Sequence, residues 1–150
     1  MTIIDDIDKA IINGLQQGFP ITTTPYRQVA NALGLTEEEL INRLQRLLDD
    51  GVLSRFGPMY HAEQMGGALT LAALKVPDER FDEVTEIVNA FPEVAHNYAR
   101  NHTLNMWFVL ATEKPEQVVA VIHEIERRTG LTVFNMPKIN EYYVGLQLEA

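Results

Sequence analysis

The chain of 150 residues holds 12 lysines and arginines against 21 aspartates and glutamates, which gives a formal net charge of −9. This charge argues against nonspecific attraction to nucleic acid or to anionic lipid. Cysteine is absent, which excludes a disulfide, a thiolate metal site and a cysteine nucleophile. The acidic N-terminus and the lack of a membrane-length apolar run lead us to expect a soluble, cytoplasmic protein.

The first part of the chain predicts two helices joined by a loop. Apolar residues recur at helical spacing up to Leu15, and Gly18-Phe19-Pro20 ends that helix. The second helix begins with Thr24 as its cap and Pro25 at its first position, and it continues through residue 33.

A third helix and a short strand complete this half. Thr36 and Glu39 form a capping-box pair at the start of the helix, and a leucine stripe predicts its buried side. Residues 52–56 predict a wing strand. Together these elements are typical of a winged helix-turn-helix domain, which we assign to residues 1–62.

The third helix is poorly suited to DNA. In helix-turn-helix proteins the N-terminal residues of this helix reach the base edges, close to the phosphates. Here those residues are Glu37, Glu38 and Glu39, whose carboxylates would repel DNA. We therefore expect no DNA binding, and we look for function in the second half of the chain.

The second half alternates strands and helices. The predicted elements are a strand at 68–76, a helix at 77–91, strands at 94–100 and 106–111, a helix at 115–129, and strands at 132–136 and 142–148. The first six elements have the order βαββαβ, which predicts a ferredoxin-like sheet with both helices on one face, and the strand at 142–148 follows them. This domain is assigned to residues 63–150. The overall class is α+β. The other face of the sheet is left for a ligand or a partner subunit.

Functional side chains are densest in the strand at 94–100. Strand alternation places His96, Tyr98 and Arg100 on one face. The imidazole can move a proton or ligate a metal, the phenol can stack, and the guanidinium can hold a carboxylate at two points. On spacing alone, a subunit interface or a solvated strand edge is the commoner explanation. Trp107 and its neighbours are more typical of core, and His123 of a solvated helix face.

Other chemistries lack their motifs. The sequence contains no phosphate-binding glycine loop followed by lysine, no His-Glu-x-x-His, no nucleophile elbow and no calcium loop. A nucleotide enzyme or a zinc hydrolase is not indicated.

Two resemblances cover nearly the whole chain. The helical half contains Asp5-Asp6-Ile7-Asp8-Lys9-Ala10-Ile11-Ile12 and Gly51-Val52-Leu53. With these motifs it resembles the Lrp/AsnC transcription regulators, whose second domain has the ferredoxin-like plan. A more specific set of motifs is Gly18-Phe19-Pro20, Pro25-Tyr26, Arg55-Phe56-Gly57, His96-Asn97-Tyr98-x-Arg100 and Asn105-Met106-Trp107-Phe108. This set resembles the sirohaem decarboxylases, in particular the D-type subunits of d-type haem biosynthesis.

The second resemblance implies an activity and a set of site residues. The implied reaction removes carbon dioxide from two acetate side chains of sirohaem, and it implies no cofactor beyond this iron-containing tetrapyrrole. His96 is implied as proton donor or iron ligand, and Arg100 as the group that holds a substrate carboxylate. The implied substrate contacts are Tyr98, Arg55, Tyr60, His61, His102 and Trp107.

The resemblance also implies partners. We expect a heterodimer or larger complex with related decarboxylase subunits, or a homodimer, and no membrane association. Two alternatives remain open at this point. One is an Lrp/AsnC-type regulator that senses a small effector, and the other is a noncatalytic haem-binding or scaffold subunit.

Overall fold

The computed structural model describes residues 4–145 and 147–150. It contains five α-helices and four β-strands within these residues: α1 Asp6–Leu15, α2 Pro25–Leu33, α3 Glu37–Asp49, β1 Ala68–Leu74, α4 Phe81–Asn89, β2 Val94–Ala99, β3 Met106–Thr112, α5 Pro115–Thr129 and β4 Val133–Pro137. Short 3₁₀ turns occupy Ala62–Met65 and Asp78–Arg80. None of the described helices has both the length and the apolar character needed to cross a membrane.

The chain forms two compact units. The helical unit comprises the residues up to Pro58 together with the C-terminal residues from Tyr143, and the sheet unit comprises Met59–Tyr142. The boundary between residues 62 and 63 that we expected from the sequence stays a prediction.

The three helices of the first unit pack around one small core. Ile11 of α1, Val29 and Ala30 of α2, and Leu40 and Leu44 of α3 are buried together. As predicted, Thr24 and Pro25 begin α2, although the Thr24 side chain makes no capping hydrogen bond. The Thr36 hydroxyl accepts from the Glu39 N–H and caps α3, but the Glu39 side chain accepts from Arg43 and does not complete the predicted capping box.

Three aromatic rings join the loops of this unit to its core. The ring centre of Phe19 lies 5.0 Å from that of Tyr26 and 5.2 Å from that of Phe56, and the last two centres are 6.4 Å apart. Edge-to-face rings at these distances stabilise a fold beyond the area that they bury. Three of the family-like motifs in the sequence therefore contribute to packing in this unit.

The second unit has the predicted ferredoxin-like plan. Its sheet has the strand order β2-β3-β1-β4, and all neighbouring strands are antiparallel. Apolar residues of α4 and α5 pack against one face of the sheet, where Leu74, Phe108 and Leu110 are buried. The βαββαβ prediction, with both helices on one face, is confirmed.

Two predicted strands are wrong. Residues 52–54 form bends and residues 55–56 have no regular structure, and the backbone N–H of Leu53 donates to the carbonyl of Leu47 at 2.9 Å instead of to a neighbouring strand. The final strand predicted at 142–148 is absent from its described residues, and Leu146 lies outside them.

The C-terminal residues pair with side chains of α1 instead. The carbonyl of Leu148 accepts from Gln16 Nε2 at 2.5 Å, and the N–H of Leu148 donates to Gln16 Oε1 at 2.8 Å. The Ala150 N–H donates to Asn13 Oδ1 at 3.0 Å. These amide side chains satisfy backbone groups of Leu148 and Ala150 that a neighbouring strand would otherwise bind.

Candidate functional site

The sheet face opposite the helices carries two rows of side chains. Cross-strand pairing aligns the first row as Tyr98, Trp107, Ala73 and Phe134, and the second as His96, Val109, Leu71 and Met136. Several members are exposed, including Tyr98 at 55 % and Phe134 at 48 %. The result is a flat apolar surface with polar groups on β2.

His96 and Tyr98 lie side by side on this surface. Their rings are nearly parallel, with centres 6.0 Å apart, and the Tyr98 hydroxyl lies 3.4 Å from Nδ1 of His96. A bulge at Ala95 interrupts the pairing of β2 with β3 just before His96. Simple alternation therefore does not hold across Ala95, but it does hold from His96 to Tyr98. The contact of Tyr98 with Nδ1 leaves Nε2 of His96 as the ring nitrogen available to a ligand.

Arg100 and Trp107 line a cleft at the end of β2. The guanidinium carbon of Arg100 lies 5.7 Å from the centre of the Trp107 ring. The cleft has a volume of about 560 Å³ and is lined by Leu71, Ala99, Arg100, Asn101, His102 and Trp107. These six residues include the cation of Arg100 and the indole of Trp107, and none of them is a carboxylate. Local charge therefore suits an anion although the whole chain is acidic.

His102 belongs to the same cleft. Its ring centre lies 6.1 Å from that of Trp107, in an edge-on arrangement. Its Nδ1 accepts a hydrogen bond from the Leu104 N–H at 3.0 Å. A neutral imidazole that accepts at Nδ1 carries its proton on Nε2, so His102 offers a donor there. The structure thus brings His102, Arg100 and Trp107 together, which sequence spacing alone did not establish.

Three further residues were expected at the site: Arg55, Tyr60 and His61. Arg55 is exposed in the bends after α3, within the helical unit. Tyr60 is 74 % exposed in the sheet unit, just before His61. Their place beside the tetrapyrrole stays a prediction.

His61 belongs to a polar cluster of its own. One ligand atom each from His61, Glu63 and Glu141 lies within 4.8 Å of the other two. However, the Lys138 ammonium lies 2.7 Å from a carboxylate oxygen of both Glu63 and Glu141, and it lowers the pKa of Glu141 by hydrogen bonding. Lysine already supplies the positive charge that these carboxylates require.

The arginines of α3 are also engaged within their own unit. Arg43 Nη1 lies 2.8 Å from Asp5 and 2.9 Å from Asp8, and Arg46 Nη2 lies 2.5 Å from Asp8. Burial opposes ionisation of Asp8, but hydrogen bonds from Arg46, the Asp5 backbone and Arg43 lower its pKa to about 2. These cations neutralise α1 and are not free for phosphates.

Sequence reasoning missed part of the open surface. Leu71 and Phe134 were not singled out, although both lie in the rows that carry His96 and Tyr98. β1 is an almost uninterrupted apolar run in which only Thr70 is polar, so its pattern did not show which face Leu71 occupies. The order of neighbouring strands was needed to place Leu71 and Phe134 in these rows.

Comparisons with known proteins identify the family of this chain. A family profile described as siroheme decarboxylase NirDL-like HTH domain matches residues 8–53, and one described as AsnC-like ligand binding domain matches residues 64–143. The siroheme decarboxylase NirG subunit of Paracoccus pantotrophus is 52 % identical over 98 % of this chain and 94 % of its own length. The NirD subunit of Pseudomonas aeruginosa is 43 % identical over 95 % of each chain.

Solved structures show the same relationship. The crystal structure of the siroheme decarboxylase NirDL matches 87 % of this chain, with a TM-score of 0.65 and 30 % identity, over 43 % of the NirDL chain. An AsnC family regulator from Agrobacterium tumefaciens shares the fold, with a TM-score of 0.72 over 97 % of this chain and 96 % of its own, at 18 % identity. Because the identity to the named decarboxylase subunits extends over nearly the full length, the chain belongs to the siroheme decarboxylase family.

Proposed function

We propose that this chain is a subunit of a sirohaem decarboxylase, which removes carbon dioxide from two acetate side chains of sirohaem to give didecarboxysirohaem. The observation that carries the proposal is the open sheet surface, where His96 and Tyr98 of β2 adjoin Trp107 of β3, with Arg100 directly after β2. The 52 % identity to a siroheme decarboxylase subunit supports the same activity.

The surface suits a flat ring that carries carboxylates. Trp107 and Tyr98 are paired across β2 and β3 and present aromatic area to a macrocycle. Arg100 would hold a carboxylate of the substrate, since a guanidinium binds a carboxylate at two points. A related structure, NirDL, was solved in complex with an iron-uroporphyrin III analogue, and it matches 95 % of this chain at 28 % identity, over 48 % of the NirDL chain.

The reaction requires a proton from the protein and a binding surface from which water is excluded. The bond between the acetate methylene and its carboxylate breaks, carbon dioxide leaves, and the electron pair stays on the methylene carbon. The conjugated macrocycle accepts this pair, and one proton per acetate completes a methyl group. We assign His96 as the donor of that proton, with ligation of the iron through Nε2 as its other possible role.

The two roles of His96 differ in a measurable way. Ligation through imidazole changes the visible absorption of the bound iron tetrapyrrole, whereas proton donation changes only the rate. Binding spectra of His96→Ala therefore separate the two roles. An unchanged spectrum with slow turnover assigns proton donation, and a changed spectrum assigns ligation.

We further propose that the chain works in a complex. The relatives are named as NirG, NirD and alpha subunits, which implies assemblies of more than one chain. A heterodimer with a related subunit is the arrangement that we favour, in which the partner covers the β1 and β4 side of the open sheet surface and the tetrapyrrole lies on the β2 and β3 side. Sirohaem is the substrate, and the proposed reaction requires no prosthetic group in addition to it.

A direct assay tests this function. The purified chain, alone and mixed with related subunits, is incubated anaerobically with sirohaem, and the product masses are followed. Stepwise loss of two carbon dioxide molecules supports the proposal. Unchanged sirohaem in every mixture, with all chains folded, would refute it.

A further inference from the structure

The loop between β2 and β3 is held by one side chain. Asn105 Oδ1 accepts from the Val76 N–H at 2.8 Å, and Asn105 Nδ2 donates to the Val76 carbonyl at 2.8 Å. Val76 follows the end of β1, so this amide pairs with the backbone as a strand would. The two hydrogen bonds connect the end of the loop to the segment that follows β1, an inner strand of the sheet.

Further hydrogen bonds extend from Asn105 through the loop. The Asn105 carbonyl accepts from the Arg100 N–H at 2.8 Å, and the Arg100 carbonyl accepts from the His102 N–H at 3.0 Å. Leu104 then links the two rings of the cleft. Its N–H donates to His102 Nδ1 at 3.0 Å, and its carbonyl accepts from the Trp107 indole N–H at 2.6 Å.

We propose that Asn105 is a positioning residue for the cleft formed by Arg100, His102 and Trp107. Asn105 fixes the loop, and the fixed loop keeps the Arg100 guanidinium over the indole and keeps the proton of neutral His102 on Nε2. The ligand class is a carboxylate carried by a flat conjugated ring. The choice of ligand rests on the proposed function, whereas the positioning of the loop does not.

Burial is consistent with this role. Asn105 is half-buried and both ends of its amide are bonded to one residue, whereas Arg100 and His102 are exposed. When an exposed loop carries the groups that bind a ligand, ordering the loop during binding costs conformational entropy and so lowers the affinity for that ligand. A residue that orders the loop beforehand removes part of that cost.

The single tryptophan makes the inference testable. Trp107 is the only tryptophan in the sequence, so the one indole N–H resonance in a nitrogen-15 NMR spectrum reports its hydrogen bond to Leu104. Its fluorescence also reports ligand binding in the cleft. We would compare wild type with Asn105→Ala and Asn105→Asp, using iron-uroporphyrin III as the probe ligand.

Asn105→Ala removes both bonds to Val76. We expect indole hydrogen exchange to become about tenfold faster and the affinity for iron-uroporphyrin III to fall about tenfold, because part of the loss of the two hydrogen bonds is transmitted to the cleft. Asn105→Asp keeps the acceptor for the Val76 N–H but places a carboxylate oxygen against the Val76 carbonyl, so both values should depart from wild type in the same direction. If Asn105→Ala does not fold, the Asp variant decides by the same two measurements.

Asn89→Ala is the matched control. Asn89 accepts from Asn97 Nδ2 at 2.9 Å, so this variant loses a side-chain amide bond in the same unit but outside the loop. It should keep wild-type exchange and affinity. Unchanged indole exchange in Asn105→Ala, or an equal change in Asn89→Ala, would overturn the positioning role. If wild type fails to bind the probe both alone and with related subunits, the proposed function is refuted while the indole exchange still decides the role of Asn105.

Discussion

The guanidinium carbon of Arg100 lies 5.7 Å from the centre of the Trp107 ring. A cation over an indole face is stabilised without being neutralised. Within the part of the chain that the structure describes, no carboxylate forms a salt bridge with Arg100, whereas Arg43, Arg46, Arg80, Arg127 and Arg128 are all paired with one. Arg100 is therefore a cation that an incoming carboxylate can use.

Arg100→Lys should weaken the binding of iron-uroporphyrin III by about tenfold, because an ammonium keeps the charge but loses the planar two-point grip on a carboxylate. Titration followed by Trp107 fluorescence measures the dissociation constant. Arg80→Lys is the matched control, since Arg80 pairs with Glu83 on the surface of α4. Equal affinities for wild type and Arg100→Lys would remove Arg100 from the binding site.

Much of this site could be anticipated from β2 and β3. Alternation identified His96, Tyr98 and Arg100 as a row, and the pairing of Tyr98 with Trp107 agrees with it. The bulge at Ala95 could not be anticipated, because a bulge depends on the partner strand as well as on local sequence. Asn105 and Val76 are far apart along the chain, so the spacing of residues in the sequence could not predict the hydrogen bonds between them.

An element of the fold could be predicted from the sequence where both of its ends carried a local signal. The helix predicted at 115–129 has the bounds that the structure gives it, because Pro115 begins α5 and Gly130 ends it in a left-handed conformation. The strands predicted at 52–56 and 142–148 had the right composition but lacked a neighbouring strand. Strand propensity becomes structure only when the backbone is paired.

The ion pairs of Asp8 should make the helical unit sensitive to acid. The pKa of Asp8 is about 2 in the folded chain and 3.8 ordinarily, so its stabilisation is complete above pH 3.8 and is lost as the pH falls toward 2. The shift corresponds to about 2 kcal/mol, and its sign is unambiguous because the folded pKa is the lower one.

Asp8→Asn should therefore lower the free energy of unfolding by about 3 kcal/mol at pH 7, since it leaves Arg43 and Arg46 without their buried partner. The difference from wild type should shrink as the pH is lowered from 5 toward 2. Urea unfolding across this range provides the measurement. Asp6→Asn, an exposed change in the same helix turn, should show no such pH dependence. A constant difference for Asp8→Asn across the range would count against the ion pairs.

The helical unit should lack useful affinity for duplex DNA. The first turn of α3 carries Glu37, Glu38 and Glu39, and the cations farther along α3 pair with Asp5 and Asp8. Fluorescence anisotropy with a random labelled duplex at several salt concentrations measures binding. Salt-sensitive binding tighter than the range of about 10⁻⁴ to 10⁻⁶ M, which is typical of nonspecific contacts, would show this expectation to be wrong.

The open sheet surface should be covered in an assembly. Phe134 is 48 % exposed beside Ala73 on this surface, so Phe134→Lys should weaken association with a second copy or a related subunit. Val119 of α5 is 53 % exposed on the other side of the unit, which makes Val119→Lys the control. Light scattering measures the mass. A species of 17.0 kDa in wild type, both alone and with related subunits, would exclude this interface.

His96 carries the proposed proton transfer, and anaerobic turnover of sirohaem by the assembled complex tests this role. His96→Ala should slow decarboxylation by about 10² to 10⁴-fold, the usual contribution of a group that transfers a proton. His123→Ala, a histidine of similar type on α5, should turn over at the wild-type rate with the fold intact. Near-normal decarboxylation by a folded His96→Ala complex would contradict the account, because the reacting groups would then belong to another chain.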